Sequence, residues 1–156
     1  MLLRPSTLIA ELSYQCPLHC PYCSNPLEIG GEQYRRELET EQWVRTFGEA
    51  RRLGVLQLAL TGGEPMLRRD LVELCAGARD AGLYSSLITA GTLFTLERAR
   101  ALKSAGLDHV QISIQSPDAE DNDRIAGNRS FEKKIAAARH AKELDFPLTI
   151  NCVLHR

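Results

Sequence analysis

The sequence predicts an α/β fold: about five parallel strands alternating with four helices, in a curved sheet whose polar concave face holds ligands. Three observations predict it. Short β-prone runs alternate with amphipathic helical stretches along the chain, which implies a parallel sheet with right-handed crossovers. Gly54, Gly82 and Gly106 each stand between a helical stretch and the next strand, as left-handed helix caps do. The strands also alternate polar and apolar residues, where strands covered by helices on both faces would be apolar throughout.

The first strand, Thr7–Ser13, sets Glu11 and Ser13 against Leu8, Ala10 and Leu12. The helix Glu41–Leu53 carries Trp43, Val44, Phe47 and Ala50 on one stripe, at amphipathic spacing. In the second strand, Leu56–Leu60, the chain opposes Gln57, Ala59 and the following Thr61 to Leu56, Leu58 and Leu60. The helix Asp70–Ala81 turns Leu71, Leu74, Cys75 and Ala78 to the core. Next come the strand Tyr84–Thr89 and the helix Thr95–Ala105, with Thr95 as N-cap. The fourth strand, His109–Gln115, sets His109, Gln111, Ser113 and Gln115 against Val110, Ile112 and Ile114. The helix Ser130–Leu144 has Ser130 as N-cap and Phe131, Ile135 and Ala138 as its stripe. The last strand, Leu148–His155, sets Thr149, Asn151 and His155, with Val153 among them, against Leu148, Ile150, Cys152 and Leu154. A closed eight-stranded barrel fills its interior mostly with Val, Ile and Leu. The polar faces here call instead for a ligand cavity, or in the plainer alternative for one solvated side.

At 156 residues the chain suits one domain with a real core. Its 19 basic and 20 acidic residues give no electrostatic case for nucleic acid or a charged membrane. No apolar run approaches membrane-spanning length, and Met1–Thr7 lacks the apolar core of a signal peptide. The expected location is therefore cytoplasmic. Five cysteines, an odd number, point there to metal or redox chemistry rather than disulfides.

Three of them, Cys16, Cys20 and Cys23, form a Cys-x₃-Cys-x₂-Cys run directly after the first strand. Thiolates so close can converge on one metal centre, and a four-iron cluster normally takes four cysteines. With only three, one iron keeps a position open to a small molecule. Pro17 and Pro21 restrict the loop and remove two amide donors. A structural zinc site, with His19 or a remote residue as fourth ligand, is the competing reading, although zinc sites usually pair two separated Cys or His couples. Cys75 and Cys152 fall on apolar faces and are expected to pack as small hydrophobes. The run Thr61-Gly62-Gly63-Glu64-Pro65 ends the second strand, where glycines permit close backbone approach to a ligand. Thr89–Thr92 ends the third strand, and Ser113 and Gln115 the fourth, where their side chains can bond ligand hydroxyls.

The cysteine run with Tyr22 before its last member, and Gly62-Gly63-Glu64-Pro65 after the next strand, resemble the radical S-adenosylmethionine (SAM) superfamily. The resemblance implies a partial (β/α)₆ barrel and a [4Fe–4S] cluster held by Cys16, Cys20 and Cys23, its open iron binding SAM. Tyr22 would lie on the cofactor, Gly62–Pro65 would meet its methionyl amino end, and Ser113, Gln115 and Asn151 would line its ribose side. Reduction of the bound SAM would give a 5′-deoxyadenosyl radical, with the cysteines as ligands and not nucleophiles. No general acid or base can be named.

Glu11–Leu27, Leu87–Gly91, Gly106–Ser113 and Asn151–Arg156 resemble, more narrowly, the family of PqqA peptide cyclases (PqqE) of pyrroloquinoline quinone biosynthesis. That implies an oxidoreductase joining a glutamate and a tyrosine side chain of a PqqA-like peptide. It also implies a PqqD-like peptide chaperone and a flavodoxin-type reductant as partners. Another SPASM-type peptide maturase, and a non-catalytic metal-binding module, are the alternatives. The family's barrel has six units followed by a cysteine-rich SPASM-type region. Residues 1–156 are therefore expected to be the N-terminal part of the barrel, with that later region absent and the fifth strand an exposed apolar edge.

Overall fold

In the computed structural model, residues 4–23 and 37–154 are described. Five strands run β1 (Thr7–Ser13), β2 (Gln57–Gly62), β3 (Tyr84–Thr89), β4 (His109–Ser113) and β5 (Leu148–Asn151). All pair in parallel, and their order in the sheet is their order in the chain. The helices are α1 (Thr40–Leu53), α2 (Leu71–Asp80), α3 (Leu96–Ala105), α4 (Ala119–Ala126) and α5 (Phe131–Glu143). A short 3₁₀ turn, Pro65–Leu67, follows β2.

The register explains the alternation read from the sequence. Leu58 pairs with Ser85, Leu87 with Val110, and Ile112 with Ile150. Parallel in-register pairing puts these residues on one face of the sheet. With Ala10, Leu12 and Leu60 they meet Phe47 of α1, Leu74 and Cys75 of α2, and Leu102 of α3 in a single core cluster. Phe47 is fully buried; truncating such a residue to Ala costs about 3–5 kcal/mol. The opposite face stays open and largely polar. On it Ser86 Oγ bonds His109 Nδ1 at 2.7 Å, and His109 Nε2 bonds Thr149 Oγ1 at 2.9 Å. Glu11 and Thr149 are exposed there.

Gly54 and Gly106 cap α1 and α3 in the left-handed region, and Thr95 Oγ1 accepts from Arg98 N, as expected. Several expectations need correction. Ser13 is buried rather than on the open face, because the β1–β2 register shifts between Glu11 and Ser13. Val44 is exposed, leaving Trp43, Phe47 and Ala50 as the buried side of α1. Ser130 stands at the N-cap of α5, yet Asp123 Oδ1 is what accepts from Ser130 N and Phe131 N, each at 2.8 Å. The buried side of α5 is Lys134, Ala137 and Ala141, one residue out of phase with the expected stripe. Small alanines there let α5 approach the β3 end closely: a Cβ on Gly91 would lie 3.2 Å from Ala137 Cβ.

The fifth helix, α4, was not expected, because its sequence, Ala-Glu-Asp-Asn-Asp-Arg-Ile-Ala, carries hardly any apolar stripe. Asp118 Oδ1 caps it by accepting from Asp121 N at 2.9 Å, and Glu120 and Asp121 sit favourably in its first turn. Its Asn122 Oδ1 accepts from Gln115 N at 3.0 Å, which turns the chain out of the sheet, so β4 ends at Ser113. The edge strand β5 carries exposed Ile150, and Leu154 beyond it is 91% exposed, as anticipated for an apolar edge. His155 lies outside the described residues.

Candidate functional site

Each strand delivers a loop to the same end of the sheet, where its C-terminus lies. The cysteine loop follows β1, the double glycine closes β2, Thr89 and Ala90 end β3, Ser113 and Gln115 leave β4, and Asn151 and Val153 leave β5. Residues from all five line one pocket. Cys16, Cys20, Tyr22 and Cys23 form one wall, Gly62 and Gly63 a second, and Ser113, Gln115 and Asn151 a third. Sequence reasoning had not singled out Leu18, Ile88 or Val153, which supply the pocket's apolar lining.

Backbone geometry explains the two glycines. A Cβ on Gly62 would fall 2.2 Å from Ser13 O, and one on Gly63 2.3 Å from Gln15 O. Gly62 has φ 130°, outside the range comfortable for other residues. Their immediate task is thus to let the β2 turn press against the start of the cysteine loop, where Glu64 N donates to Gln15 O at 2.7 Å.

Two expected site residues do not line the pocket. Glu64 is fully buried beneath the turn. Its Oε1 accepts from Met66 N at 2.9 Å and from Thr89 Oγ1 at 2.7 Å, and its Oε2 accepts from Ala90 N at 2.8 Å. Burial pushes its pKa up, while the bonds from Met66, Thr89 and Ala90 and the charge of Arg98 pull it back. Pro65 is buried as the first residue of the 3₁₀ turn. Both shape the pocket wall from behind, because their side chains are committed to the turn itself.

Burial raises the Cys16 thiol above its usual value; a backbone bond from Leu18 opposes this, and Glu64, Cys20 and Cys23 reinforce it. Burial likewise raises Cys20, partly offset by the positive charge of Lys134. Lys134 is the residue that sequence reading missed. It is fully buried, and its Nζ donates to Ser113 O at 3.0 Å and to Gln115 Oε1. Burial lowers its pKa, and the nearby Cys20 and Asp123 raise it. A lysine inside the stripe spacing of α5 was the available signal. Tyr22 has its hydroxyl pKa raised by burial, with a hydrogen bond to Gln115 opposing.

The other two cysteines separate. Cys75 is buried in the core on α2, its thiol pushed up to about 12 by burial, as a packing residue should be. Cys152 is not a core residue: it is exposed just past β5, with Sγ 3.6 Å from Gln115 O. The strand ends at Asn151, before the expected helix-facing position is reached.

Among the described residues, no three His, Cys, Asp or Glu side chains are close enough to hold one metal ion. A tetrahedral zinc crowds its thiolates around a single centre. A four-iron cluster assigns each thiolate to a different iron and keeps them apart. Three thiols spread around one pocket wall fit the cluster better than they fit zinc.

The profile of the radical SAM superfamily matches residues 11–156. This chain belongs to the radical SAM superfamily. Members use a [4Fe–4S] cluster and SAM, the pair to which the cysteine spacing points. Among curated relatives, the radical SAM chain is 51% identical over 153 residues to a PqqA peptide cyclase of Ruegeria pomeroyi, covering 97% of this chain and 40% of that protein. It is 50% identical to a PqqA peptide cyclase of Methylocella silvestris, covering 99% of this chain and 41% of that one. The chain thus spans about two fifths of the length of these relatives. Among solved structures, Streptococcus suis SuiB bound to precursor peptide SuiA superposes with a TM-score of 0.84 at 22% identity, covering 98% of this chain and 34% of SuiB. The enzyme anSMEcpe with bound AdoMet (SAM) gives 0.75 at 26% identity, covering 94% of this chain and 42% of that one. The parallel five-stranded plan is therefore the radical SAM fold.

Proposed function

We propose that this chain is the cofactor-binding part of a radical SAM oxidoreductase that modifies a peptide, with a PqqA-like peptide as substrate. One observation carries the reading: the three cysteines share a single pocket with Gly62, Gly63, Ser113, Gln115 and Asn151. Residues 1–156 are then the N-terminal part of the barrel domain. These residues contain no second cysteine set for the auxiliary clusters of a SPASM-type region.

In this reading Cys16, Cys20 and Cys23 hold the [4Fe–4S] cluster and leave one iron open. When bound, the cluster and SAM supply a 5′-deoxyadenosyl radical that takes hydrogen from an unactivated carbon. The chain's own residues bind and orient. Gly62 and Gly63 expose backbone to the methionyl end of SAM, held in place from behind by Glu64 and Pro65. Ser113 and Gln115 meet the ribose, and Tyr22 and Asn151 complete the enclosure. Leu18, Ile88 and Val153 limit water around the reacting atoms. The carbon–carbon joining of a glutamate and a tyrosine is supported by relatives at 50% and 51% identity that carry the name PqqA peptide cyclase. A PqqD-like chaperone, a flavodoxin-type reductant and a cytoplasmic location complete the proposal; no helix among the described residues is long and apolar enough to cross a membrane.

The test is anaerobic reconstitution of the chain with iron and sulfide. The expected product shows a [4Fe–4S] absorbance, a reduced-state EPR spectrum that SAM perturbs, and 5′-deoxyadenosine after addition of dithionite. A tightly bound zinc ion with no response to SAM would overturn the reading.

A further inference from the structure

The cysteine loop makes few backbone bonds of its own. Pro17 and Pro21 have no amide to donate, and the described loop's one internal backbone bond runs from Cys23 N to Cys20 O. Its start is held by Ser13 and Glu64, but those anchors reach only to Gln15. The stretch between Cys16 and Cys20 is gripped instead from the far side of the sheet, by the end of α4.

His19 N donates to Ala126 O at 2.9 Å. Asn128 Nδ2 donates to Pro17 O at 3.2 Å, across 111 positions of sequence. Between these two bonds Gly127 packs against His19. Its φ is 67°, and a Cβ there would lie 3.1 Å from His19 Cβ. The bonds straddle Leu18, which is buried and lines the pocket. Helix α4 is itself tied down at both ends of its last turns: Asn122 holds Gln115 N, and Asp123 holds the first amides of α5.

We propose that Ala126, Gly127 and Asn128 are positioning residues for the metal-binding loop. They fix Cys16 and Cys20 relative to the β4 end that carries Ser113 and Gln115. The inference rests on the cluster reading for its purpose, but its geometry does not depend on it. Ligands held by outer partners lose less freedom on binding metal and release it more slowly. Here the outer partner is a helix end, acting on the backbone on both sides of Leu18.

The test uses Asn128→Asp, which keeps shape but loses the donor, with Asn128→Ala and Gly127→Ala beside it. Gly106→Ala is the control, because Gly106 also has positive φ (102°) and no room for a Cβ, yet lies at the other end of the sheet. In the metal-free chain, hydrogen exchange of the His19 amide should rise about fivefold in both Asn128 variants, the equilibrium weight of one hydrogen bond. It should rise tenfold or more in Gly127→Ala and stay unchanged in Gly106→Ala. In the reconstituted chain, loss of iron to a chelator should accelerate in the same order. Unchanged His19 exchange in Asn128→Asp and Gly127→Ala would overturn the proposal, as would an equal rise in Gly106→Ala. A wild-type chain that protects His19 but takes up no cluster would instead sink the cluster reading and leave the clamp standing.

Discussion

Replacing Glu64 tests the interior of the site more sharply than replacing a cysteine. Glu64→Ala strands three donors in a fully buried place: Met66 N, Ala90 N and the Thr89 hydroxyl. Each unsatisfied group costs about 1–3 kcal/mol. Allowing for partial relaxation, the loss is about 3–4 kcal/mol, which lowers Tm by roughly 6–15 °C for a chain of this size. Glu64→Gln keeps Oε1 for Met66 and Thr89 but turns an amide N–H toward Ala90 N, so it should lose about 1–3 kcal/mol. The pH dependence has a definite sign. Burial raises the folded pKa of Glu64 above its unfolded value of about 4.3. The native state therefore holds the proton more tightly, and its contribution is fully present below about pH 4.3. That contribution fades as pH rises through the folded value. Chemical denaturation of wild type and Glu64→Gln across this range should show a deficit that is largest at low pH and shrinks upward. A deficit that grows with pH, or a Glu64→Ala chain melting within a degree of wild type, would refute the assignment of Glu64 as a buried link between the β2 turn and the β3 end.

Cys20→Ala should abolish cluster formation and SAM cleavage, read by iron content and 5′-deoxyadenosine, while far-UV circular dichroism stays native. Cys75→Ala should leave cluster content unchanged and cost about 1 kcal/mol by urea unfolding, since it removes one small buried group from α2. Arg68 donates to both carboxylate oxygens of Asp70 and to Leu12 O, so Arg68→Ala should cost roughly 2 kcal/mol in the same assay. The bond from Arg68 holds the Asp70 carboxyl below its ordinary range. Its stabilising share is present above about pH 3.9 and is lost as pH falls through the lower folded value. Asp70→Asn should flatten the acid limb of the stability profile over that window.

The sheet was legible because alternation and register are local properties. Leu58, Leu87, Val110 and Ile112 announce their burial by position alone, and Gly54 and Gly106 mark helix ends by type. The cysteine wall was legible because metal chemistry demands residue types at fixed spacing. Less legible was what depends on partners distant in sequence. Gly62 and Gly63 read as room for a ligand, whereas Ser13 O and Gln15 O are what they make room for. Glu64 reads as an exposed turn residue, and only the approach of Thr89 and Ala90 buries it. Lys134 sits one position off the expected stripe of α5, and nothing local says that Ser113 O and Gln115 Oε1 await its ammonium. Helix α4 has caps but no apolar stripe, so its stability comes from capping and from Asn122 and Asp123 rather than from burial of a hydrophobic face.

These distant partners determine how the pocket responds to change. In a sheet ordered as the chain is ordered, neighbouring loops are joined by short links. Glu64 N meets Gln15 O between the first and second, the Glu64 carboxylate meets Thr89 and Ala90 between the second and third, and Ile114 N meets Asn151 O between the fourth and fifth. Links of this kind allow the row of loops to flex as a strip. The contact of α4 with the cysteine loop differs because it joins the first loop to the fourth, across the intervening two. It converts the strip into a closed frame around the pocket. A frame has fewer independent motions than a strip, so loosening it at Asn128 should be felt at Cys16 and Cys20. Loosening an outer link, such as Ile114 to Asn151, should stay local to the edge.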